Sequence, residues 1–463
     1  MIDKTFIDKC KNIFGPENVL TDKAELISYS YDATPGIPRE IPGVVVFPEN
    51  TKQVQELVIL ARQTKTPIYP RGAGTSLSGG PVPLSKGVVI GFQRMNRIIE
   101  IDPDNLTATV QPGVVVAELN NAVAKYGLLY PPDPGSMATA TVGGTVAENA
   151  GGLRGLKYGV TKHYIMGMEV VMPTGEIFRF GGKTVKNVTA YDFTHLFVGS
   201  EGTLGIVTEI ICKLIPAPKY RKSMIAFFSK LEDAGKTVTD IVRNHVIPAT
   251  LEIMDKVTIQ TVENYAKVGL PTDVEALLLI EVDGMGQDSV LWEAEKCVEI
   301  IKQNNGTYKI AETDAERDSL WAARRAALPA LAQVKPATIL EDATVPRTKL
   351  VDMLVAVQNI AKKYNLMIGT FGHAGDGNLH PTLLVDPMNK EEMERVHKAV
   401  DEIFEVALSL GGTLSGEHGI GVAKLKYLKN EIGRSGIETM RRIKQALDPD
   451  NILNPGKLVP MED

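Results

Sequence analysis

The chain has 463 residues, more than one compact core usually organises, and the usual range of about 100–200 residues per domain predicts two to four folding units. A composition of 44% hydrophobic and 23% charged residues is typical of a globular protein, and the net charge of −6 argues against nucleic acid as the main partner. The 3 cysteines are far apart and form no Cys-x-x-Cys pair, so we expect neither a disulfide framework nor a cysteine-ligated cluster.

The N-terminal residues, MIDKTFIDKCKNIFGPENV, are charged and contain no apolar run that would indicate a signal peptide. No stretch of the sequence approaches the roughly 20 apolar residues that span a bilayer. We therefore expect a cytoplasmic protein.

The first part of the chain mixes predicted strands and helices. The segment IPGVVVFPEN predicts a strand ended by a turn, and the helically spaced apolar residues of TKQVQELVILARQTKT predict a helix with Thr51 as its N-cap. PIYP predicts a second strand. GVVIGFQRMNRIIEIDPDNLTATV predicts further strands that are joined by an Asp-Asn turn.

Two prolines in LIPAPKY, residues 214–220, interrupt the pattern and indicate a domain boundary. After it, LEDAGKTVTDIVRNH predicts an amphipathic helix and EALLLIEVDG predicts a strand. We predict a first domain at 1–217, a second at 218–410, and a C-terminal segment at 411–463.

A loop rich in glycine and hydroxyl groups, PRGAGTSLSGG, follows the predicted strand PIYP. Glycines let backbone N–H groups approach an anion closely, so this loop suits a pyrophosphate. It is not a Walker loop, because no Gly-Lys-Ser/Thr follows, and residue 77 is leucine where a Rossmann fingerprint has its third glycine. Taken alone, an ordinary surface loop explains it about as well.

Two further glycine-dense regions are PPDPGSMATATVGGTVAENAGGLRGLKYG and VGSEGTLGIVTE. Such a density of glycine costs chain entropy on folding. A large flat ligand lying against the backbone would account for that cost.

The segment FGHAGDGNLH, residues 371–380, places two histidines around a favoured Asp-Gly hairpin turn. With Asp376 and Gly377 as the turn, His373 would lie directly opposite His380, with Cβ atoms roughly 4.5–5.5 Å apart. Asn378 would share their face, because side chains alternate along a strand. Two imidazoles so placed could bind one metal ion.

The glycine-rich segment GGTLSGEHGIG supplies Glu417 and His418. Two histidines and a carboxylate form a common site for Zn²⁺ or Fe²⁺, and the remaining histidine is then available for proton transfer. A lone histidine in a strand is usually structural, but the paired motif together with Gly-Glu-His-Gly favours a site.

The predicted helix DSLWAARRAALPAL carries the adjacent pair Arg324 and Arg325. Either guanidinium could bind a substrate carboxylate through two parallel hydrogen bonds. A solvated helix face is an equally good explanation from the residues alone.

Taken together, the glycine loops, the Tyr-Gly at 158–159 and the closing LNPGK resemble the vanillyl-alcohol-oxidase (PCMH-type) flavoproteins, in that family's order and over most of the chain. The resemblance implies an α+β fold with a two-lobed FAD-binding domain, a cap domain with an antiparallel sheet, and a C-terminal segment that returns to the flavin. Members with covalent flavin often carry a histidine in the first loop, and GAGTS has none, so we expect non-covalent FAD. The FAD-binding residues implied by the resemblance are Arg71, Gly72, Ala73, Gly74, Thr75, Ser76, Pro134, Gly135, Ser136, Thr141, Gly144, Asn149, Gly151, Gly155, Tyr158, Gly159, Glu201, Gly202, Gly205, Ile206 and Asn454.

The two histidine motifs resemble those of the D-2-hydroxyacid dehydrogenase branch of that family. The resemblance implies the metal ligands His373, His380 and Glu417, and the catalytic residues His418 as base, Asn378, and Arg324, which matches the last position of the Trp-x-x-Arg element. Leu328 and Leu340 stand where the hydroxyglutarate branch has polar residues, which favours a short substrate such as D-lactate or glycolate.

We therefore expect FAD-dependent oxidation of a small D-2-hydroxy acid, with a divalent metal (Zn or Fe). Because no second redox motif occurs in the chain, we expect an external electron acceptor: electron-transferring flavoprotein, quinone-linked subunits or a cytochrome, with peripheral membrane association through such partners. One alternative is a metallohydrolase, which would be colourless when purified. The other is a non-catalytic flavin-fold subunit, which would have no reason to keep the paired histidines.

Overall fold

The computed structural model describes residues 2–460 and has an α+β fold. The described chain divides into two compact units. The first unit takes the residues up to Gly151, then Val160–Ala217, and then those from Glu417 onward, while the second takes Gly152–Gly159 and Pro218–Gly416. No helix within residues 2–460 combines the length and the hydropathy needed to cross a membrane.

The strands of the described residues are β1 Val19–Leu20, β2 Val44–Val46, β3 Ile68–Arg71, β4 Val88–Gly91, β5 Ile98–Asp102, β6 Thr107–Val110, β7 Leu128–Leu129, β8 Ile165–Val171, β9 Ile177–Gly181, β10 Ile206–Lys213, β11 Ile215–Pro216, β12 Tyr220–Phe228, β13 Thr250–Asp255, β14 Ala276–Gly284, β15 Thr307–Ile310, β16 Ala337–Leu340, β17 Ala343–Thr344, β18 Met367–His373 and β19 Asn378–Val385.

The α-helices are α1 Lys4–Phe14, α2 Lys23–Ile27, α3 Thr51–Thr64, α4 Val116–Ala124, α5 Val142–Glu148, α6 Gly155–Tyr158, α7 Phe193–Phe197, α8 Leu231–Arg243, α9 Lys256–Ala266, α10 Gln287–Gln303, α11 Asp314–Arg325, α12 Ala327–Ala332, α13 Leu350–Lys363, α14 Lys390–Ser409 and α15 Leu428–Leu447.

The first unit contains two main sheets. One has the order β1-β2-β4-β3, in which β2, β4 and β3 are parallel, and the other is antiparallel in the order β5-β6-β10-β8-β9. Helix α3 packs its buried apolar stripe into the first core, and its N-cap is Asn50, whose side chain accepts from Gln53 N at 3.1 Å. Thr51, expected to be the cap, is instead the first helical residue, because Asn50 supplies the capping side chain. The Thr51 hydroxyl donates to Glu169 Oε1 at 2.6 Å.

The second unit is built on one antiparallel sheet in the order β15-β12-β14-β13-β18-β19-β16, with β17 also paired to β19. Its central strands are buried along almost their whole length, and helices α9, α11 and α12 cover an apolar cluster on the sheet. Strands β13 and β18 are neighbours although more than a hundred residues separate them in sequence. This pairing places the histidine hairpin inside the sheet, between β13 and β16.

Two segments belong to a different unit from the one that the sequence suggested. Residues 411–416 stay with the second unit, because Thr413 N donates to Thr344 O at 2.9 Å and Ser415 Oγ donates to Asp342 at 2.6 Å. Residues 152–159 also belong to it, because Lys157 Nζ lies 2.6 Å from Asp283 Oδ1. Long-range polar contacts thus hold both segments in the second unit.

Candidate active site

The hairpin of β18 and β19 is present, but the predicted register is wrong. His373 is opposite Asn378, and Phe371 is opposite His380, so the connection is the four-residue loop 374–377 rather than a two-residue turn. Asp376 N donates to His373 O at 3.0 Å, and Gly377 adopts a left-handed φ of 74°. The loop is held from outside, because Arg347 Nε donates to Gly375 O at 2.6 Å.

The two histidine rings nevertheless lie together. A register shift of two residues keeps every side chain on its face, because side chains alternate with period two. The ring centroids of His373 and His380 are 5.2 Å apart at an interplanar angle of 86°, and one ring nitrogen of each lies within 4.8 Å of the other. Both side chains are nearly inaccessible to solvent. This donor pair fits a divalent cation.

Glu252 on β13 is a buried carboxylate that sequence reasoning missed. It is the direct cross-strand neighbour of His373 on β18. His373 Nδ1 is 2.7 Å from Glu252 Oε1, and Arg324 Nε donates to Glu252 Oε2 at 2.7 Å. The Glu252 side chain is 0% exposed. The available signal was an acidic residue inside the apolar strand sequence TLEIMD, since acids are almost never fully buried without a partner.

Burial by itself would raise the pKa of Glu252, because it removes water from the charged form. The charges and hydrogen bonds of His373 and Arg324 outweigh that effect, and the pKa of Glu252 is lowered overall. Glu252 is therefore an ionised carboxylate between two cationic or proton-bearing groups.

Arg324 presents a guanidinium that is only partly used. Its side chain is 12% exposed, and its guanidinium carbon lies 4.7 Å from the centroid of the Phe371 ring. Among the hydrogen bonds found within residues 2–460, the one from Arg324 leaves from Nε, so the two terminal nitrogens have no partner there. Arg325 is exposed and donates only to Asp318 O at 3.3 Å.

Helix α11 holds Arg324 over the sheet. It begins in a capping box, in which Thr313 and Glu316 each bond the other's backbone. Three residues before Arg324, Trp321 Nε1 donates to Glu281 Oε2 at 3.2 Å, and Ser223 Oγ donates to the same oxygen at 2.6 Å. Two carboxylates on neighbouring strands, Glu281 and Glu252, therefore fix one face of the helix.

Asn378 follows the hairpin loop and is 4% exposed. Its Oδ1 and the hydroxyl of its cross-strand neighbour Thr344 are buried polar atoms with no hydrogen-bond partner in the described structure. A Cβ at Gly416 would lie 2.3 Å from Thr344 Oγ1, so only glycine allows the chain so close. Buried polar atoms without a partner are costly, and these two fit a site that a ligand completes.

The Gly-Glu-His-Gly segment opens the C-terminal part of the first unit. His418 Nε2 lies 3.7 Å from Glu417 Oε1, and both side chains are largely buried. The backbone just after them is held by Glu201, whose carboxylate accepts from Ile420 N and Gly421 N, each at 2.8 Å. Glu417 and His418 thus lie at the start of a segment whose backbone is hydrogen-bonded to Glu201 of the VGSEGT loop.

The glycine loops of the first unit are brought together. A Cβ at Gly72 would lie 2.5 Å from Thr141 Oγ1, and Thr141 caps α5 by accepting from Gly144 N at 3.2 Å. Ser76 Oγ lies 3.1 Å from Glu148 Oε1. Asn454 Nδ2 donates to Gly80 O and to Glu201 O. These contacts form a cradle of backbone and small side chains that fits a large anionic ligand such as FAD.

Glu148 and Glu201 are two buried carboxyl groups within this cradle. Burial raises the pKa of Glu148 well above its ordinary value, and the nearby charge of Glu201 raises it further. Burial also raises the pKa of Glu201, while the backbone N–H groups of Ile420 and Gly421 oppose that shift. Glu148 is therefore the member of the pair in which the surroundings favour the protonated form more strongly.

Several predicted FAD-binding residues have structural partners of their own. The Arg71 guanidinium donates to Tyr31 O at 2.7 Å, and Tyr158 OH donates to Asp283 in the second unit. Gly205 packs against Val170 and Phe197. Of the remaining predicted residues, Ile206 is in the hydrophobic core, and Pro134, Gly135 and Ser136 form a separate turn. In the second unit, Gly155 is the first residue of α6 and Gly159 is its C-cap. The residues that lie in the loops of the first unit are Ala73, Gly74, Thr75, Asn149, Gly151 and Gly202.

These loops and the hairpin define a class of flavoprotein. Residues 42–181 match the family model described as "FAD binding domain", and residues 217–458 match "FAD linked oxidases, C-terminal domain". The chain belongs to the family of FAD-linked oxidases. FAD is therefore the cofactor that the fold accommodates, and the protein is an oxidoreductase.

The relatives are similar over nearly the whole chain. Glycolate oxidase subunit GlcD of Bacillus subtilis is 50% identical over 459 residues, covering 99% of this chain and 97% of that protein. D-lactate dehydrogenase of Anaerostipes hadrus is 37% identical, covering 98% of this chain and 96% of that protein. A crystal structure of p-cresol methylhydroxylase superposes with a TM-score of 0.80 at 19% identity, covering 97% of this chain and 95% of that one, which confirms the PCMH-type fold.

Proposed function

We propose that the protein oxidises a small D-2-hydroxy acid, such as D-lactate or glycolate, to the corresponding 2-oxo acid. The observation that carries the proposal is the position of Glu252, whose carboxylate bonds both His373 and Arg324 in the second unit. His373 is a candidate metal ligand, and the two terminal nitrogens of Arg324 make no hydrogen bond within residues 2–460. A 2-hydroxy acid offers the matching pair of groups, a carboxylate for the guanidinium and an adjacent hydroxyl for a metal ion. The names of the relatives, a glycolate oxidase subunit and a D-lactate dehydrogenase, support the same substrate class.

In the proposed reaction, the terminal nitrogens of Arg324 bind the substrate carboxylate through two parallel hydrogen bonds. His373, His380 and Glu417 would hold a divalent ion, Zn or Fe, which supplies Lewis acidity that lowers the pKa of the α-hydroxyl. His418 takes the hydroxyl proton as the C2 hydride leaves and the carbonyl forms. FAD, bound non-covalently in the cradle of the first unit, supplies the two-electron acceptor. The third-ligand and base roles rest on the Gly-Glu-His-Gly motif.

A short substrate is favoured by two apolar residues at positions where the hydroxyglutarate branch has polar ones. Leu328 and Leu340 both pack against the apolar cluster of the second unit. A second carboxylate placed against them would lose water without gaining a partner, which costs free energy. We therefore propose a monocarboxylic substrate.

The electrons would leave the reduced flavin for an external carrier, either electron-transferring flavoprotein, quinone-linked subunits or a cytochrome. The word "subunit" in the name of the Bacillus subtilis relative supports a partner that continues electron transfer. Association with a membrane would then occur through such partners.

The test is anaerobic bleaching of the bound flavin by a panel of D- and L-2-hydroxy acids. D-lactate or glycolate should bleach the visible absorbance of the flavin rapidly, whereas L-lactate and D-2-hydroxyglutarate should act much more slowly. A colourless protein that hydrolyses phosphate esters would instead support a metallohydrolase. A yellow protein that no hydroxy acid reduces would support a non-catalytic flavin-fold subunit.

A further inference from the structure

We propose that Glu252 is a positioning residue that sets both the affinity of the hairpin for its metal ion and the grip of Arg324 on the substrate carboxylate. This inference rests on the proposed function and deepens it. It assigns to one buried side chain the alignment of two groups that carry different parts of the chemistry.

Each oxygen of the Glu252 carboxylate is engaged by one of these groups. Oε1 is 2.7 Å from His373 Nδ1, and Oε2 accepts from Arg324 Nε at 2.7 Å. The two partners come from β18 and α11, while Glu252 itself comes from β13. Since the carboxylate is fully buried, water does not compete for either bond, and both hold their geometry.

The bond to His373 decides which ring nitrogen can bind a metal. A carboxylate accepts a hydrogen bond, so Nδ1 carries the proton and Nε2 keeps its lone pair. Such a carboxylate fixes both the tautomer and the ring orientation of a metal-binding histidine. Without it, the ring could rotate or present a proton to the ion.

The bond to Arg324 leaves the binding end of the guanidinium open. Glu252 holds Nε, neither terminal nitrogen makes a hydrogen bond within residues 2–460, and the Phe371 ring lies against the guanidinium with its centroid 4.7 Å from the central carbon. Phe371 and His373 are two residues apart on β18 and therefore share a face. One strand thus sets the plane of the guanidinium and also carries the metal ligand.

Glu252→Gln tests this inference with little change of shape. The single amide oxygen can accept from His373 or from Arg324, but the amide N–H₂ must then face the other donor. We expect the Zn²⁺ affinity of the metal-stripped, FAD-loaded protein to fall by about 10–100-fold, the usual effect of removing such a partner. At saturating Zn²⁺, the affinity for oxamate, followed by the perturbed flavin absorbance, should also fall by about 10-fold or more, a loss of about one charged hydrogen bond.

The neighbouring strand offers a matched control in Glu281→Gln. Glu281 Oε2 accepts from both Trp321 and Ser223, and a glutamine oxygen can accept both bonds. Glu281 also contacts helix α11, so if the loss of a buried negative charge beneath that helix were the whole cause, the two variants would lose both affinities equally. We expect the Glu281→Gln protein to bind Zn²⁺ and oxamate as the wild type does, with FAD content and thermal midpoint unchanged.

Glu252→Asp is the second variant, for use if the glutamine protein does not fold. It keeps the charge but is one methylene too short to meet both partners, so the same two losses are expected. Wild-type affinities for Zn²⁺ and oxamate in either folded Glu252 variant overturn the inference, and so do equal losses in the Glu281→Gln protein. A wild type that is bleached by D-lactate but binds no Zn²⁺ also overturns it. If the wild type is not bleached at all, it is the proposed function that fails.

Discussion

Arg324 and Arg325 are adjacent in sequence, yet the fold gives them different surroundings. Arg324 is tethered at Nε by buried Glu252, whereas Arg325 is exposed. In Arg324→Lys, the single ammonium cannot satisfy Glu252 and also present two parallel donors. We expect KM for D-lactate to rise by about 10–100-fold, since a hydrogen bond to a charged group is worth about 1.5–3 kcal/mol.

Arg325→Lys is the control for that substitution and should change KM less than about twofold. Steady-state kinetics with a dye acceptor measures both variants. Equal effects from the two lysine substitutions would show that Arg324 is not the group that binds the carboxylate.

His418 is expected to act as the base. His418→Ala should slow flavin reduction by a factor on the order of 10²–10⁴, the range for loss of a general base. Metal and FAD content should stay at wild-type levels, and the residual rate should increase at high pH. Stopped-flow bleaching with D-lactate, together with metal analysis, checks this. Loss of the metal instead would exchange the roles of Glu417 and His418.

Glu148 gives the stability of the first unit a pH dependence. Burial and the charge of Glu201 raise its pKa in the folded protein, while Ser76, Asp32 and Lys457 are the other groups that act on it. Above the ordinary range of a carboxyl group, the folded state keeps a proton that the unfolded state has lost, so stability falls as pH rises. Glu148→Gln cannot ionise and should raise the thermal midpoint at pH 8 by about 2 °C or more, with little change at pH 4. A shift of the same size at both pH values would rule out a titration effect.

At the scale of elements, the turn of the histidine hairpin depends on its glycine. Gly377 has a φ of 74°, and a Cβ there would lie 2.1 Å from Val345 O. Gly269 has a φ of 82° with nothing within 4 Å of its Cβ position. Gly269→Ala should lower the free energy of unfolding by about 1–2 kcal/mol, the cost of the left-handed conformation for a residue with a Cβ. Gly377→Ala should lower it clearly more, because the Cβ would also contact Val345 O. Thermal unfolding compares the two, and equal losses would mean that the contact with Val345 does not constrain the loop.

The hairpin also shows how far local patterns reach. The Asp-Gly pair and the alternation of side chains were sufficient to predict two strands with His373, Asn378 and His380 on one face. The register was wrong because the loop length depends on contacts from a distant segment, Val345 N to Gly377 O and Arg347 Nε to Gly375 O. A shift of two residues leaves a period-two pattern unchanged, so the prediction that the two histidines share one face of the sheet remained correct.

For the whole molecule, the two histidine metal candidates and the glycine cradle belong to different compact units. His380 is in the second unit, and the loops around Gly72, Thr141 and Asn454 are in the first. His380→Ala should therefore lose bound metal and most turnover while keeping about one FAD per chain. Elemental analysis and the FAD released by acid measure the two independently.

The matched control for this substitution is His397→Ala, at an exposed position of helix α14 in the second unit, which should keep both metal and FAD. Full metal occupancy in the His380→Ala protein would remove the histidine pair from the proposed site. Flavin that stays attached to acid-precipitated protein would contradict non-covalent binding.

The sequence by itself determined the local elements, the glycine loops and the face that the two histidines share, because periodicity and turn chemistry act between residues a few positions apart. It also showed that Arg324 and Arg325 are both candidates for binding the substrate carboxylate. Only the tertiary structure showed which of the two arginines has a buried partner. That partner, Glu252, is 72 residues from Arg324 and 121 residues from His373 in sequence. The order of strands in the sheet sets β13 beside β18, and no local pattern encodes which distant strands become neighbours.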